Sequence, residues 1–381
     1  MKKSFIKRLS LLSLLISLIF TNIGNISAKT RDTVCEKNLQ IEIRPSYGFI
    51  ICHHPELKHF KTHLPMFEIS LQQVTLGNQY WQSKLNYPAV GINFIYSGLG
   101  GNPELGQVFS IYPYLSFNFL KSQKNQLNMR LGVGMSYLTN KFDAKTNYKN
   151  TFIGSNLNAA LAISFEYNRF ITKRLSIAMF VGLTHFSNGS RRAPNNGLNI
   201  AHAGISTKYF INEPKLRYPE QPKDNQQFKS WKKENLSFYI AFTYAIKDID
   251  EYIGYNKSWS VYNVQIHLLK RLTRMSKLGI GFDIVYDMTD KEILKVKEIE
   301  FSDVEILKPG INLAYELMLN STSFMFHFGT HLAGKEMCEG YVYQKLGVKQ
   351  NLGKHFFATM ALTLHYGWAD NVSFGLGYKI N

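Results

Sequence analysis

The stretch LNMRLGVGMSY, residues 127–137, alternates apolar side chains with polar or small ones at every step. Successive side chains on a β-strand point to opposite faces, so this period of two gives the strand one apolar face and one polar or glycine face. In membrane barrels the pattern arises because one face meets lipid and the other lines the lumen. The stretch therefore predicts a strand that lies between two different environments.

The same period recurs near the C-terminus. Residues 372–380 set apolar side chains against serine, glycine and lysine. Residues 355–366 set apolar side chains against histidine and threonine, with Phe357 and Ala361 as exceptions. A soluble sandwich could contain one such strand, but repetition over strands of about ten residues favours a membrane barrel. The 22 Tyr and 27 Phe residues agree with that class, because the hydrophobic residues are mostly scattered singly.

The predicted fold is an all-β, antiparallel transmembrane β-barrel of the outer membrane, with about 12 to 16 strands. Counting from Ile41 gives about 16 strands, and 12 or 14 are equally defensible. Short connections alternate with longer ones, as expected when one rim carries turns and the other carries extracellular loops. Residues 212–234, with three prolines, fit either a loop or a boundary between two domains. Because the alternation resumes at Leu236, we predict a single barrel domain over residues 29–381.

Residues 1–28 have the layout of a secretory signal peptide. Basic residues precede an apolar run over residues 9–20, and Ile26-Ser27-Ala28 fits a cleavage site. The apolar run is shorter than the roughly 18 residues that a transmembrane helix needs. We therefore expect residues 1–28 to be removed on export, and we expect the mature chain in the outer membrane of a Gram-negative bacterium.

The chain carries a formal net charge of +17, which favours anionic partners. An exported protein meets lipopolysaccharide and acidic lipids, so we expect lipid A or another outer-membrane lipid as the partner, and no nucleic acid. The sequence leaves open whether the chain forms a homodimer. Cys52 and the histidines at positions 53, 54, 59 and 63 form a cluster, but they match no accepted zinc spacing, so no metal site is predicted.

The segment from Thr184 to Asn199 ends one predicted strand and begins the next. His185 and Ser187 lie two positions apart, so their side chains emerge on one face, near enough for the imidazole to take the hydroxyl proton. The apolar residues at 177, 179, 181 and 183 share their parity, which places the pair on the lipid side. Asn199 also has outward parity, and its amide oxygen can accept a hydrogen bond from the imidazole.

A histidine and a serine on the lipid side of a strand are costly unless they are paired or lie at the interface. Their presence there indicates a function. From spacing alone, an equal alternative is that both lie at the aromatic rim and hydrogen-bond only to loop backbone.

The sequence HFSN at residues 185–188, followed by Pro-Asn at 194–195 and by Gly197, resembles the signature of the lipid A 3-O-deacylase family of outer-membrane barrels, also called acyloxyacyl hydrolases. A looser resemblance covers residues 47–55 and 101–104. The family resemblance implies a nucleophile at Ser187, a base at His185 and a carboxylate as third member. This chain departs from the family pattern, because the matching position holds Asn199.

A second resemblance concerns that third member. The sequence HFSNG at residues 185–189, together with Asn199, is similar to outer-membrane phospholipase A, in which the third member is an asparagine. The Trp-Asn-Arg context of that family is missing, because a leucine and an isoleucine flank Asn199. We therefore rank the deacylase resemblance first.

The predicted function is an outer-membrane lipid esterase that removes an acyl chain from lipid A by a Ser/His mechanism. The nearest oxyanion donors are the loop amides near Asn188 and Gly189 and the side chain of Asn195. Arg191 and Arg192 can hold a lipid phosphate, with an ordinary loop role equally open. The alternatives are an outer-membrane phospholipase A and a non-catalytic porin-like or structural barrel. No cofactor is expected, apart from calcium if the enzyme is phospholipase-like.

Overall fold

The computed structural model describes residues 38–52, 54–122, 124–212, 214, 236–249, 257–337 and 340–380. The predicted signal peptide, residues 1–28, and most of the proline-containing stretch 212–234 lie outside the described residues. Among the described residues, none of the helices has the length and apolar character needed to cross a membrane.

A first group of eight antiparallel strands closes on itself, and we call it the N-terminal barrel. Its strands are β1 (Leu39–Ile51), β2 (His63–Val74), β3 (Ala89–Ser97), β4 (Val108–Lys121), β5 (Asn125–Leu138), β6 (Leu157–Phe170), β7 (Leu175–Ser187) and β8 (Leu198–Phe210). Closure comes from β8 pairing with β1, in a register that runs from Gln40 opposite Phe210 to Ile51 opposite Asn199. The connections include two 3-10 turns, Pro55–Phe60 and Leu99–Gly101, and the short helix α1, Tyr80–Lys84.

A second group of eight antiparallel strands forms another closed barrel, the C-terminal barrel. Its strands are β9 (Leu236–Lys247), β10 (Trp259–Arg271), β11 (Ser276–Asp287), β12 (Leu307–Leu319), β13 (Thr322–His331), β14 (Val342–Asn351), β15 (Phe356–His365) and β16 (Trp368–Lys379). Here β16 pairs with β9, and helix α2, Met288–Val296, follows β11.

The prediction of one barrel with about 12 to 16 strands is therefore wrong, although the all-β antiparallel class is correct. The sixteen strands of the described residues form two barrels of eight. Period-two alternation reports only which face of a strand is apolar, and it does not encode which strand closes the sheet. The alternative boundary at residues 212–234 falls between β8 and β9, where the pairing is interrupted.

The N-terminal barrel is filled by a charge network. Three carboxylates and three cations are all buried in it: Glu42, Glu68, Glu166, Arg44, Arg130 and Lys208. The Arg44 guanidinium lies 2.8 Å from Glu166 and 3.3 Å from Glu42, and it stacks 3.7 Å above the ring of Phe180. An eight-stranded barrel has an interior just wide enough for side chains to fill, so paired charges of equal number can occupy it.

The interior of the C-terminal barrel also contains buried ion pairs, formed by other residues. Its interior ion pairs include Lys345 with Asp283 at 3.1 Å and Lys349 with Glu316. Because the interiors of both barrels hold buried and paired side chains, the alternating polar face in the sequence lines two filled cores and no single wide channel.

An apolar cluster lies at the end of the N-terminal barrel where β7 ends and β8 begins. The loops at that end contribute buried side chains to it, and Phe60 of one loop contacts Phe152 of another with ring centroids 5.4 Å apart. Phe186 of β7 and Leu198 of β8 belong to the same cluster. The loop that joins these strands, residues 188–197, is therefore attached at both ends to a packed core.

The charge network predicts the effect of removing one partner. Glu166→Ala would remove the nearest buried counter-ion of both Arg44 and Lys208, so we expect a loss of about 3–5 kcal/mol in the free energy of unfolding. The measurement is the urea midpoint of the folded protein in detergent. Glu300→Ala is the control, because Glu300 is exposed and should change the midpoint little. Equal midpoints for both variants would contradict a structural role for the network.

Candidate functional site

Strand pairing brings two of the predicted site residues face to face. His185 near the end of β7 lies directly opposite Asn199 near the start of β8. The imidazole Nδ1 lies 2.7 Å from the amide oxygen Oδ1 of Asn199. An amide oxygen can only accept, so Nδ1 carries the proton and donates it to Asn199. The other ring nitrogen, Nε2, is then unprotonated in the neutral imidazole and can act as a base.

The pair His185 and Ser187 lies on the outward parity of β7. Ile177 and Met179 share this parity and are 45% and 62% exposed. Phe186, of opposite parity, is buried inside. Ser187 is only 8% exposed despite its outward parity, so other residues of the protein largely cover it.

Gly197 allows the imidazole its position. Its φ of +75° lies in the left-handed region, and a Cβ there would stand 2.6 Å from Cε1 of His185. Its backbone N–H donates to the carbonyl of Phe152 at 3.0 Å, which ties the end of the loop to the β5–β6 connection. A side chain at position 197 would therefore strain the backbone and displace the ring.

Two asparagines shape the loop after Ser187. The backbone N–H of Asn188 donates to Oδ1 of Asn195 at 2.9 Å. The side chain of Asn188 spans the turn, because its Nδ2 donates to the carbonyl of Arg192 at 2.9 Å and its Oδ1 accepts from the Arg192 amide at 3.2 Å. These contacts fix the amide oxygen of Asn195 within the loop, which leaves Nδ2 as its donor group.

The amide of Gly189 lies at the hydroxyl of Ser187. This N–H donates to Ser187 Oγ at 3.3 Å. Gly189 and Ser190 both have positive φ, at 61° and 58°, so the chain turns sharply just after the hydroxyl. Among the predicted oxyanion donors, the Gly189 amide is the one with a direct contact to Ser187, whereas the Asn188 amide already donates within the loop.

The two arginines of the loop differ in their surroundings. Arg191 is exposed. Arg192 is partly buried, and its Nη1 lies 3.5 Å from a carboxylate oxygen of Asp248 and donates to the carbonyl of Lys257 at 3.2 Å. Arg192 therefore has partners within the chain, and the two alternatives for it, a lipid phosphate ligand or an ordinary loop residue, stay open.

Asp248 is a neighbour of the site that the sequence analysis missed. It lies far along the chain from Ser187, and no spacing or motif links the two. The chain divides into two compact units, and the described residues of Asp248–Ser258 belong to the same unit as the N-terminal barrel. Only folding reveals this proximity.

Two family models match the chain. A model described as lipid A 3-O-deacylase (PagL) matches residues 66–208, and a model described as acyloxyacyl hydrolase, C-terminal domain, matches residues 235–381. Together the two ranges cover most of the sequence. A search of curated proteins finds no match.

Solved structures give weaker likenesses. Neisserial surface protein A (NspA) is 9% identical, with a TM-score of 0.32, over 46% of this chain and 97% of that one. The outer membrane enzyme PagL is 16% identical, with a TM-score of 0.30, over 45% of this chain and 99% of that one. A mutant of the Rh. blastica porin is 8% identical, with a TM-score of 0.18, over 90% of this chain and 100% of that one.

The contact between Gly197 and His185 predicts the effect of a single methyl group. Gly197→Ala should slow covalent labelling of Ser187 by a serine-reactive phosphonate about tenfold, because the ring must move and the φ is strained. The measurement is the labelling rate by mass spectrometry on folded protein. Gly98→Ala is the matched control, since its Cβ would meet no atom within 4 Å. Labelling of both variants at the rate of the unmodified chain would contradict this role of Gly197.

Proposed function

Because the chain belongs to the lipid A 3-O-deacylase (acyloxyacyl hydrolase) family of outer-membrane β-barrels, we propose that it hydrolyses an acyl ester of lipid A with Ser187 as nucleophile. Membership places the chain in the outer membrane of a Gram-negative bacterium and in a family of hydrolases. The residues that perform the reaction, and the roles assigned to them below, are our proposal.

One observation supports the proposed mechanism most directly. The hydrogen bond between His185 Nδ1 and Asn199 Oδ1 holds the imidazole on the outward side of the barrel, two residues before Ser187 on the same strand. A base, its orienting group and a hydroxyl of the same parity form the arrangement that nucleophilic catalysis requires. Both His185 and Ser187 have the outward parity of β7, which is the side from which we propose that a lipid ester approaches.

The proposed reaction has two steps. Ser187 Oγ attacks the ester carbonyl carbon while His185 Nε2 takes the hydroxyl proton, and the carbonyl becomes a tetrahedral oxyanion. The intermediate collapses, the bond to the sugar oxygen breaks, and the proton on Nε2 passes to that oxygen. A water molecule then attacks the acyl carbonyl carbon while His185 Nε2 takes a proton from it, the bond to Ser187 Oγ breaks, the proton passes from Nε2 to Oγ, and the fatty acid leaves.

The oxyanion needs donors that are in place before the charge forms. The Gly189 amide, which contacts Ser187 Oγ at 3.3 Å, and the Nδ2 group of Asn195 are the proposed donors. The contacts of Asn188 with Arg192 hold the loop that carries both. A preorganised loop spares the reaction the free energy of ordering these donors.

The third member of the site sets the expected rate. A neutral asparagine orients the imidazole through Nδ1, but it stabilises the imidazolium less than a carboxylate would. We therefore expect slower turnover than in relatives with a carboxylate at this position.

Asn199 also supports a second candidate, phospholipase activity, because the site is similar to that of outer-membrane phospholipase A. Mass spectrometry of lipids from cells with and without the protein separates the candidates. Loss of one lipid A acyl chain supports the deacylase, a rise in lysophospholipid supports the phospholipase, and unchanged lipids indicate a non-catalytic barrel. Addition of a chelator tests the calcium dependence expected of the phospholipase alone.

The proposed nucleophile and base give the first prediction for activity. Ser187→Ala and His185→Ala should each lower lipid A deacylation at least ~10²- to 10⁴-fold, because each removes one half of the proton transfer. The assay measures fatty acid released from purified lipid A by protein in detergent. Thr184→Ala is the control, because Thr184 lies on the same strand with its side chain buried inside the barrel. Retained activity in Ser187→Ala would overturn the mechanism.

A second prediction concerns Asn199. Asn199→Ala should lower kcat about tenfold, since one hydrogen bond of about 1.4 kcal/mol orients the imidazole. Asn199→Asp should retain or raise kcat, because a carboxylate also accepts from Nδ1 and stabilises the imidazolium. The measurement is kcat at saturating lipid A. A shift in the gel mobility of the protein on heating checks that each variant is folded. Unchanged kcat in Asn199→Ala would remove this residue from the site.

A further inference from the structure

Asp248 is almost fully buried beside the loop that follows Ser187. Its side chain is 3% exposed, although aspartate is a residue that is rarely buried without partners. The backbone N–H of Asp248 donates to the carbonyl of Ser190 at 2.9 Å. This contact fixes the loop three residues after the proposed nucleophile.

The carboxylate makes the remaining contacts. One oxygen accepts from the Ile249 amide at 3.1 Å, and the other lies 3.5 Å from Nη1 of Arg192. The amide of Ala193 also hydrogen-bonds to the carboxylate. Asp248 therefore contacts the loop at Ser190, Arg192 and Ala193, three of the four residues in the segment 190–193.

Because the Asp248 carboxylate is buried, its contacts with the loop affect the stability of both. Burial raises the pKa of Asp248, while its bonds to Ile249, Arg192 and Ala193 oppose that shift. A buried charge that loses its partners is costly, so the loop and the carboxylate stabilise each other. Arg192 also ties the loop to this part of the chain, because its guanidinium contacts Asp248 and donates to the carbonyl of Lys257.

The loop that Asp248 holds carries both proposed oxyanion donors. Gly189 precedes Ser190 and turns its amide to Ser187 Oγ, and Asn195 follows Ala193 by two residues. A shift of the chain between these donors would move both of them relative to the hydroxyl. Displacements of about 1 Å at a reacting centre can lower rates by about 10²-fold.

We propose that Asp248 is a positioning residue of the esterase site, which fixes residues 190–193 so that Gly189 and Asn195 face the reacting ester at Ser187. The inference rests on the proposed function. It adds a residue from the range matched by the C-terminal domain model to a site whose other residues lie in or beside the range matched by the deacylase model. The N-terminal barrel sequence alone therefore lacks one part of the site.

The test compares full-length Asp248→Ala and Asp248→Asn proteins in detergent, with purified lipid A as substrate and a serine-reactive phosphonate as second probe. We expect kcat and the phosphonate labelling rate to fall about tenfold or more in Asp248→Ala, with KM little changed, because the donors act in the transition state. Asp248→Asn keeps an oxygen that accepts from the amides of Ile249 and Ala193, so it should restore part of the rate. Asp303→Ala is the control, since Asp303 is an exposed partner of Lys291.

The outcomes separate the two proposals. If folded Asp248→Ala has the kcat and the labelling rate of the unmodified chain, the positioning role is overturned. A rise in KM with constant kcat would also overturn it. If Asp248→Ala does not fold, Asp248→Asn decides alone: a lowered kcat at unchanged KM supports the role, and an unchanged kcat overturns it. If the unmodified chain leaves lipid A intact, the deacylase proposal fails, but the labelling rates still test Asp248.

Discussion

The pairing of β8 with β1 is the constraint on which the N-terminal barrel and its site depend. In a bilayer every backbone amide and carbonyl must find a partner within the protein, and a sheet satisfies this only by closing. Closure at eight strands requires the registers of all neighbouring pairs, that of β7 with β8 included, to be mutually consistent. That register sets His185 opposite Asn199, so the orienting hydrogen bond of the proposed site is a consequence of the barrel itself.

Closure at eight strands also decides what the interior contains. The space is narrow, and the polar face of each strand must be buried, so its charges occur in equal and opposite numbers around Arg44. The interior is consequently rigid and unsuited to a large substrate. The proposed reactive groups have outward parity instead, with His185 hydrogen-bonded to Asn199 and Ser187 only 8% exposed.

The loop after β7 shows how a site on an exposed wall can still be preorganised. Its start is held by Ser187 and Phe186, its middle by the side chains of Asn188 and Asp248, and its end by Gly197 against the Phe152 carbonyl. The contacts of Asn188 and Gly197, and the Asp248 amide on the Ser190 carbonyl, use backbone groups of the loop, so the loop satisfies these polar groups much as secondary structure does. Asn199 stands where the family resemblance implies a carboxylate, and it keeps a hydrogen bond to His185 Nδ1.

Alternation in the sequence is enough to predict several of the strands and the apolar face of each, because period-two alternation is local and needs no knowledge of neighbours. The same pattern predicts the outward parity of His185 and Ser187, whose catalytic roles are our proposal. The closure of the strands into two barrels of eight is visible only in the folded chain, since alternation is the same for any strand count. The tertiary structure alone brought Asp248 to the loop, because a contact between residues far apart in the chain leaves no periodic trace in the sequence.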